Sequence, residues 1–295
     1  MISPFAIALC LFLLLAYNHA HYEMPLWEEP SDAPPNVTST TEHRISTVRY
    51  PRLVVIDAVK GVQQKNTAIM VIPGGGYSGL SIASEGFNVA AMLSAQGYHC
   101  FILKYRFAKK NTFPIPLQDA IKGIRIIKKL GQSRGFGKVG AIGFSAGGHL
   151  LGMLSTLYMH LQFDFTGRAP DIEYDHITPR PDFAVYVYPV VSMGEFTPAG
   201  SRASLLGASP NDTLVHTTSV HQQTSAACPT SLIFHSGDDK VVLVENAMLL
   251  YRQLQKHRVD VDLHIFAHGG HGWSAGRMQP RNYVITLMDW LANLI

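Results

Sequence analysis

Between residues 139 and 154 an apolar run of strand length, Val139-Gly140-Ala141-Ile142, gives way to Gly143-Phe144-Ser145-Ala146-Gly147 and then to the apolar helix face His149-Leu150-Leu151-Gly152-Met153-Leu154. A G-x-S-x-G between strand and helix turns the chain so sharply that the serine hydroxyl is lifted above the sheet edge. Glycine is needed at both ends, because a side chain two residues from the serine in either direction would collide with the neighbouring strand and helix. The helix is expected to begin at Ala146, which sets unpaired N–H groups and a positive dipole end beside the serine. Ser145 is therefore the candidate nucleophile.

Around this elbow the sequence alternates between strand and helix patterns. Leu53–Ile56, Ala68–Ile72, Cys100–Leu103, Phe183–Tyr188, Ser231–Phe234 and Val261–Phe266 read as strands, and residues 85–96, 117–130, 244–256 and 281–294 as helices. The rhythm predicts an α/β fold: a mostly parallel, doubly wound sheet with helices on both faces. Residues 159–181 and 192–227 interrupt it and are expected to form a small cap over the active site. No compositional break divides residues 46–295, so one domain is expected there, preceded by an extended arm over 21–45 that is rich in Pro, Glu, Ser and Thr and carries no legible chemistry.

The formal charge is only +3 and the basic residues are scattered, which excludes a nucleic-acid footprint. The stretch Lys122-Gly123-Ile124-Arg125-Ile126-Ile127-Lys128-Lys129 alternates at helical spacing and reads as a solvated face. Pro4 to Ala16 is nearly all apolar, the length of a signal-peptide core and short for a membrane span, so residues 1–20 are expected to be a cleaved signal and the protein to be secreted, with no stable membrane insertion. Cys10 would leave with it. Cys100 and Cys228 each open a strand in a different part of the sheet and are expected to be buried free thiols. Asn36 and Asn211 stand in N-x-T glycosylation sequences, usable in a eukaryotic host.

A serine hydroxyl is a weak nucleophile at neutral pH and needs a base, with an acid to hold the base in the right tautomer. Both are expected at carboxyl ends of later strands. Asp238 and Asp239 follow the strand 231–234, and Asp239 is favoured because its D-x-x-V spacing to Val242 leads into the next helix. His268 and His271 follow the strand 261–266; His271 is favoured because glycines on both sides allow a close approach to Ser145. Tetrahedral charge also requires preorganised N–H donors. Pro73-Gly74-Gly75-Gly76-Tyr77 follows the strand 68–72, and Gly75 and Gly76 are expected to supply them together with Ala146. Tyr77, Phe144 and Trp273 flank these residues and are expected to bind substrate. Histidines such as His216 and His221 lack further ligands at a sensible spacing, so no metal site and no cofactor are expected.

These motifs, with Pro25-Leu26-Trp27, Leu103-Lys104-Tyr105-Arg106, Arg180-Pro181-Asp182-Phe183, Tyr188-Pro189 and Leu205-Leu206-Gly207, match in order over nearly all of the chain after the signal. The chain resembles the acetyl esterases and acetylxylan-esterase-like proteins of the α/β-hydrolase fold. The resemblance implies hydrolysis of short acyl esters, acetyl above all, on small molecules or carbohydrates such as xylan. Related lipase and esterase families usually carry His where Pro73 stands, a departure that argues against lipid-sized substrates. An arylformamidase would be expected to begin its glycine loop with His-Gly-Gly, and a peptidase of the prolyl oligopeptidase type would need a propeller for which this chain has no room. A non-catalytic binding protein on the same fold commonly lacks one of the three side chains, and here all three are present.

Overall fold

The computed structural model describes residues 21–31, 33, 42–107, 112–158, 171, 173–275 and 280–294. The expected signal at 1–20 and Asn36 lie outside these residues. Eight strands form one sheet in the order β1-β2-β4-β3-β5-β6-β7-β8. They are β1 (Tyr22–Pro25), β2 (Arg52–Ile56), β3 (Thr67–Ile72), β4 (His99–Lys104), β5 (Lys138–Phe144), β6 (Phe183–Val187), β7 (Thr230–Ser236) and β8 (Val261–Phe266). The pairs from β4 through β8 are parallel, whereas β1 and β2 run antiparallel at one edge. Every residue of β2, β4 and β6 is buried. That is the condition of strands covered on both faces, and it explains why they read as continuous apolar runs instead of alternating ones.

The helices are α1 (Asn88–Ser94), α2 (Ile115–Arg134), α3 (Ala146–Leu157), α4 (Ala199–Leu206), α5 (Asp212–Thr218), α6 (Glu245–Lys256) and α7 (Tyr283–Ala292). A single π-helical turn, Ile82–Phe87, leads into α1, so the helix expected over 85–96 is two pieces of different pitch. Helix α2 ends where Gly135 adopts a left-handed φ of 77° and its N–H closes on Gly131 O at 2.8 Å. Cys100 and Cys228 are free and buried. With β3, β5 and β6 between the strands they introduce, about 19 Å at ordinary strand spacing, a bridge is out of reach.

Three expectations are corrected. The described part of the arm over 21–45 is not merely draped on the domain: Tyr22–Pro25 is the edge strand, with Glu23 beside Lys104 at 3.1 Å and Arg52 at 3.6 Å. A strand added to an edge satisfies backbone donors that would otherwise stay open. At the arm's other end Ile45 and Leu80 exchange two backbone hydrogen bonds, so the arm also straps the segment that follows the glycine run. Next, the basic stripe of α2 is not a solvated face. Lys122 pairs with Asp171, Arg125 with Asp175 at 2.7 Å, Lys128 with Asp182 at 3.4 Å and Lys129 with Glu173. Finally, the described part of the stretch 159–181 therefore lies along α2 and not over the sheet's carboxyl end. The stretch 192–227 does approach that end: Ser201 of α4 has its Oγ 3.6 Å from where a Cβ on Gly76 would stand.

The elbow glycines are required for the expected reason. A Cβ on Gly143 would stand 2.6 Å from Gly147 O, and one on Gly147 would stand 2.2 Å from Ile72 O and 2.6 Å from Pro73 O. Backbone at the end of β3 cannot give way as a side-chain tip could. Gly147→Ala is accordingly expected to lower the unfolding free energy by about 2–3 kcal/mol, measured by urea denaturation; an unchanged midpoint would show that β3 and α3 can part without cost.

Candidate active site

Ser145 stands between β5 and α3 with φ 51° and ψ −120°, a conformation that non-glycine residues rarely adopt. Such strain costs about 1–3 kcal/mol and persists only where the surroundings enforce it. Here the Ser145 N–H donates to Val187 O at 3.0 Å, while its carbonyl accepts from the N–H groups of Val190 at 3.1 Å and His149 at 3.1 Å. The backbone is held on both sides by the end of β6 and the first turn of α3, which leaves Oγ directed away from the sheet's interior.

His271 Nε2 lies 2.9 Å from Ser145 Oγ, and His271 Nδ1 lies 2.6 Å from Asp239 Oδ2. These three side chains come from loops 126 and 32 residues apart, brought together because β5, β7 and β8 end at the same rim. Asp239 Oδ1 accepts the N–H groups of Val241 at 2.9 Å and Val242 at 3.0 Å, which is the physical content of the D-x-x-V spacing. Burial works to raise the Asp239 carboxyl, but hydrogen bonding from His235 and His271 outweighs it and holds the group well below the usual carboxylate range. The competing pair forms its own contact: Asp238 lies 3.5 Å from an exposed His268 and accepts the Gly270 N–H at 2.8 Å, which steadies the loop beneath His271.

The glycine run lies against the serine: a Cβ on Gly74 would stand 2.8 Å from Ser145 Cβ. Gly75 has φ 131° and Gly76 φ 65°, conformations that favour glycine. The Gly74 N–H is committed to Glu85 Oε2 at 2.7 Å, whereas among the described residues the N–H groups of Gly75, Gly76 and Ala146 donate to no protein acceptor. Arg44 reaches Gly75 O at 3.1 Å and Ser78 Oγ at 3.3 Å, fixing the loop from the outside.

The three residues expected to bind substrate do not line an open path. Tyr77 and Phe144 are fully buried and Trp273 nearly so. A φ of 54° turns the Tyr77 ring inward, where its hydroxyl meets His149 Nδ1 at 2.8 Å. Phe144, the last residue of β5, packs on Tyr188, with ring centroids 6.0 Å apart. Trp273 donates to Ser236 Oγ at 2.8 Å and packs edge-on against Tyr188. They are the floor under the site. An indole or phenol with an internal hydrogen-bond partner gains by staying buried, which is why proximity in sequence to the motifs misleads here.

Three further residues, Glu85, Tyr188 and His149, belong to the site although no sequence pattern assigns them a role. Glu85 carried a weak signal, a lone acid just before Gly-Phe at the head of an apolar helix. His149 belongs to the elbow motif itself. Its Nε2 meets Thr218 O at 2.8 Å, so Nδ1 accepts from Tyr77, and one neutral imidazole ties the glycine loop, the elbow helix and α5 together. Among the described residues no group of three His, Cys, Asp or Glu side chains is placed to hold a metal ion, and no helix is long and apolar enough to cross a membrane.

Burial pushes the His149 imidazole down from 6.5 to about 4. The unfolded chain then binds the extra proton between these values, so this group's contribution is complete above pH 6.5, declines as pH falls through the window and levels off below about pH 4. The full change is about 3 kcal/mol. Urea melts between pH 7 and pH 4 should show a steeper loss for the wild type than for His149→Gln; parallel slopes would contradict the assignment.

A model of the BD-FAE family matches residues 56–254. The chain is 32% identical over 213 residues to endo-1,4-beta-xylanase B of Butyrivibrio fibrisolvens, which is 70% of this chain and 32% of that protein. It is 30% identical over 216 residues to the acetylxylan esterase of Xylanibacter ruminicola, 71% of this chain and 41% of that protein. The chain thus spans about a third to two fifths of the length of these curated relatives. The crystal structure of an acetyl ester-xyloside bifunctional hydrolase from Caldicellulosiruptor lactoaceticus superposes with a TM-score of 0.75 at 32% identity, covering 92% of this chain and 96% of that one.

Proposed function

The chain belongs to the BD-FAE family and has the α/β-hydrolase fold, and on that footing we propose that it is a secreted serine carboxylesterase removing short acyl groups, acetyl foremost, from carbohydrate or other small esters. The observation that carries this reading is the chain of hydrogen bonds from Asp239 through His271 to Ser145, standing beside N–H groups that have no protein partner among the described residues. The names borne by the acetylxylan esterase and the acetyl ester-xyloside hydrolase support acetyl as the acyl group and xylan-type sugars as the alcohol.

In the proposed reaction Ser145 Oγ attacks the ester carbonyl carbon while His271 Nε2 takes the hydroxyl proton. Asp239, ionised throughout, keeps the proton on Nδ1 and stabilises the imidazolium. The carbonyl oxygen becomes an oxyanion and accepts hydrogen bonds from Ala146 and from Gly75 or Gly76, whose donors need no rearrangement because they have no other partner among the described residues. The tetrahedral adduct collapses, the ester C–O bond breaks, and His271 gives its proton to the departing alcohol. Water, deprotonated by His271, then attacks the acyl-enzyme, and the carboxylic acid leaves with Ser145 restored. An acetyl group asks for little room, consistent with a floor closed by Tyr77, Phe144 and Trp273.

A panel of acetylated xylan, acetylated monosaccharides and 4-nitrophenyl esters of rising chain length tests the reading. Turnover is expected to be highest for acetyl and to fall with chain length. Ser145→Ala should lower kcat by about three orders of magnitude or more, and Asp239→Asn by about four. Brisk cleavage of N-formylkynurenine or a prolyl amide without acetate release would overturn it, as would a Ser145→Ala variant with wild-type turnover.

A further inference from the structure

We propose that Glu85 is a positioning residue that holds the glycine loop and the aromatic support of His271 in one register, so that the oxyanion donors and the base meet the same carbonyl. The inference rests on the esterase reading above and assigns it a residue outside the three that react.

Glu85 sits in the π-helical turn between β3 and α1 and is buried. Its two oxygens serve different parts of the site. Oε2 accepts the Gly74 N–H at 2.7 Å, and Oε1 accepts the Tyr188 hydroxyl at 3.0 Å. A Cβ on Gly74 would stand 2.8 Å from Ser145 Cβ and 2.9 Å from Glu85 Oε2, so carboxylate, glycine and serine are packed in direct succession. Gly74 is the residue before the donors of Gly75 and Gly76, and pinning its N–H sets where theirs lie.

The other limb runs to the base. Tyr188 is held at φ 38° with its N–H on Phe234 O at 2.7 Å, and its ring lies against His271, centroids 4.7 Å apart. Beside Glu85, the Ser84 carbonyl accepts Ser274 Oγ at 2.6 Å, from the segment three residues after His271. Two consecutive residues of one turn therefore grip both halves of the machinery. π turns are unfavourable and cluster at functional sites. A buried carboxylate is also costly, and both hydrogen bonds to Glu85 come from neutral donors, so the fold alone gives little reason to keep it there.

Misplacing reacting groups by about 1 Å costs about 100-fold in rate without weakening ground-state binding. Three variants read this with 4-nitrophenyl acetate well below each melting temperature, with inhibition by a boronic acid as a second readout because its tetrahedral adduct occupies the oxyanion donors. Glu85→Leu severs both ties; it should lower kcat about 100-fold, leave KM within about twofold and weaken the boronic acid in parallel. Tyr188→Phe keeps the ring and severs one tie, so about a tenfold fall is expected. Glu85→Gln can still accept from Gly74 and donate to Tyr188, and should restore most of kcat. Wild-type kcat in a folded Glu85→Leu overturns the proposal. If that variant does not fold, unchanged kcat in Tyr188→Phe overturns it instead. A Glu85→Gln as impaired as Glu85→Leu would mean that the charge matters and the ties do not, and would also overturn it. A wild type without ester turnover, or turnover independent of Ser145, refutes the esterase reading itself. Ser145-dependent turnover untouched by these variants refutes only the role of Glu85.

Discussion

The backbone of Ser145 is held in a conformation it would not choose, and the site exists because that constraint is met from several directions. Backbone hydrogen bonds to Val187, Val190 and His149 fix the serine, while the bare Cα atoms of Gly143 and Gly147 let α3 begin directly against the ends of β3 and β5. The consequence is chemical as well as steric. The same sharp turn that lifts Oγ clear of the sheet leaves the Ala146 N–H, at the positive end of α3, without an acceptor among the described residues. Strain at one residue thus accounts for both the raised hydroxyl and the open N–H donor that the proposed esterase reaction uses.

Around this point polar groups are buried in pairs, each with a mechanical task. His149 joins Tyr77 to Thr218, Glu85 joins Gly74 to Tyr188, and Asp119 accepts from Trp27 at 2.7 Å and from the Arg106 guanidinium at 2.6 Å and 3.0 Å. The first two lie on either side of the glycine loop, and the third pins the N-terminal segment to α2. Buried polar groups that are satisfied specify one arrangement more sharply than apolar contacts, which tolerate sliding. A loop containing three consecutive glycines needs that help, because its own chain offers no side chains to pack.

Charge on the surface behaves differently. The ion pairs of α2 with Asp171, Glu173, Asp175 and Asp182 are partly exposed and screened by solvent, so their contribution is to select where the segment lies more than to hold the domain together. The sequence shows Lys122, Arg125, Lys128 and Lys129 on one helical stripe, yet helical spacing alone cannot distinguish a stripe facing water from one facing an acidic segment 44 to 54 residues away.

What the sequence determined by itself is everything that local sterics and strand order impose. The apolar runs marked the strands because both faces are covered; Gly143 and Gly147 marked the elbow because nothing larger fits; Asp239 and His271 could be preferred to their neighbours because D-x-x-V closes on a carboxylate and glycines flank the histidine. Tertiary structure decided what depends on groups distant in the chain. It set Tyr77, Phe144 and Trp273 into the floor, since each ring finds its partner on an element distant in the chain, His149 of α3, Tyr188 after β6 and Ser236 of β7, and it made Tyr22–Pro25 a strand, since β2's open edge gives those four residues hydrogen-bond partners. It also brought Glu85 beneath Ser145, a relation no local pattern could disclose, because a lone acid becomes informative only when burial reveals which donors surround it.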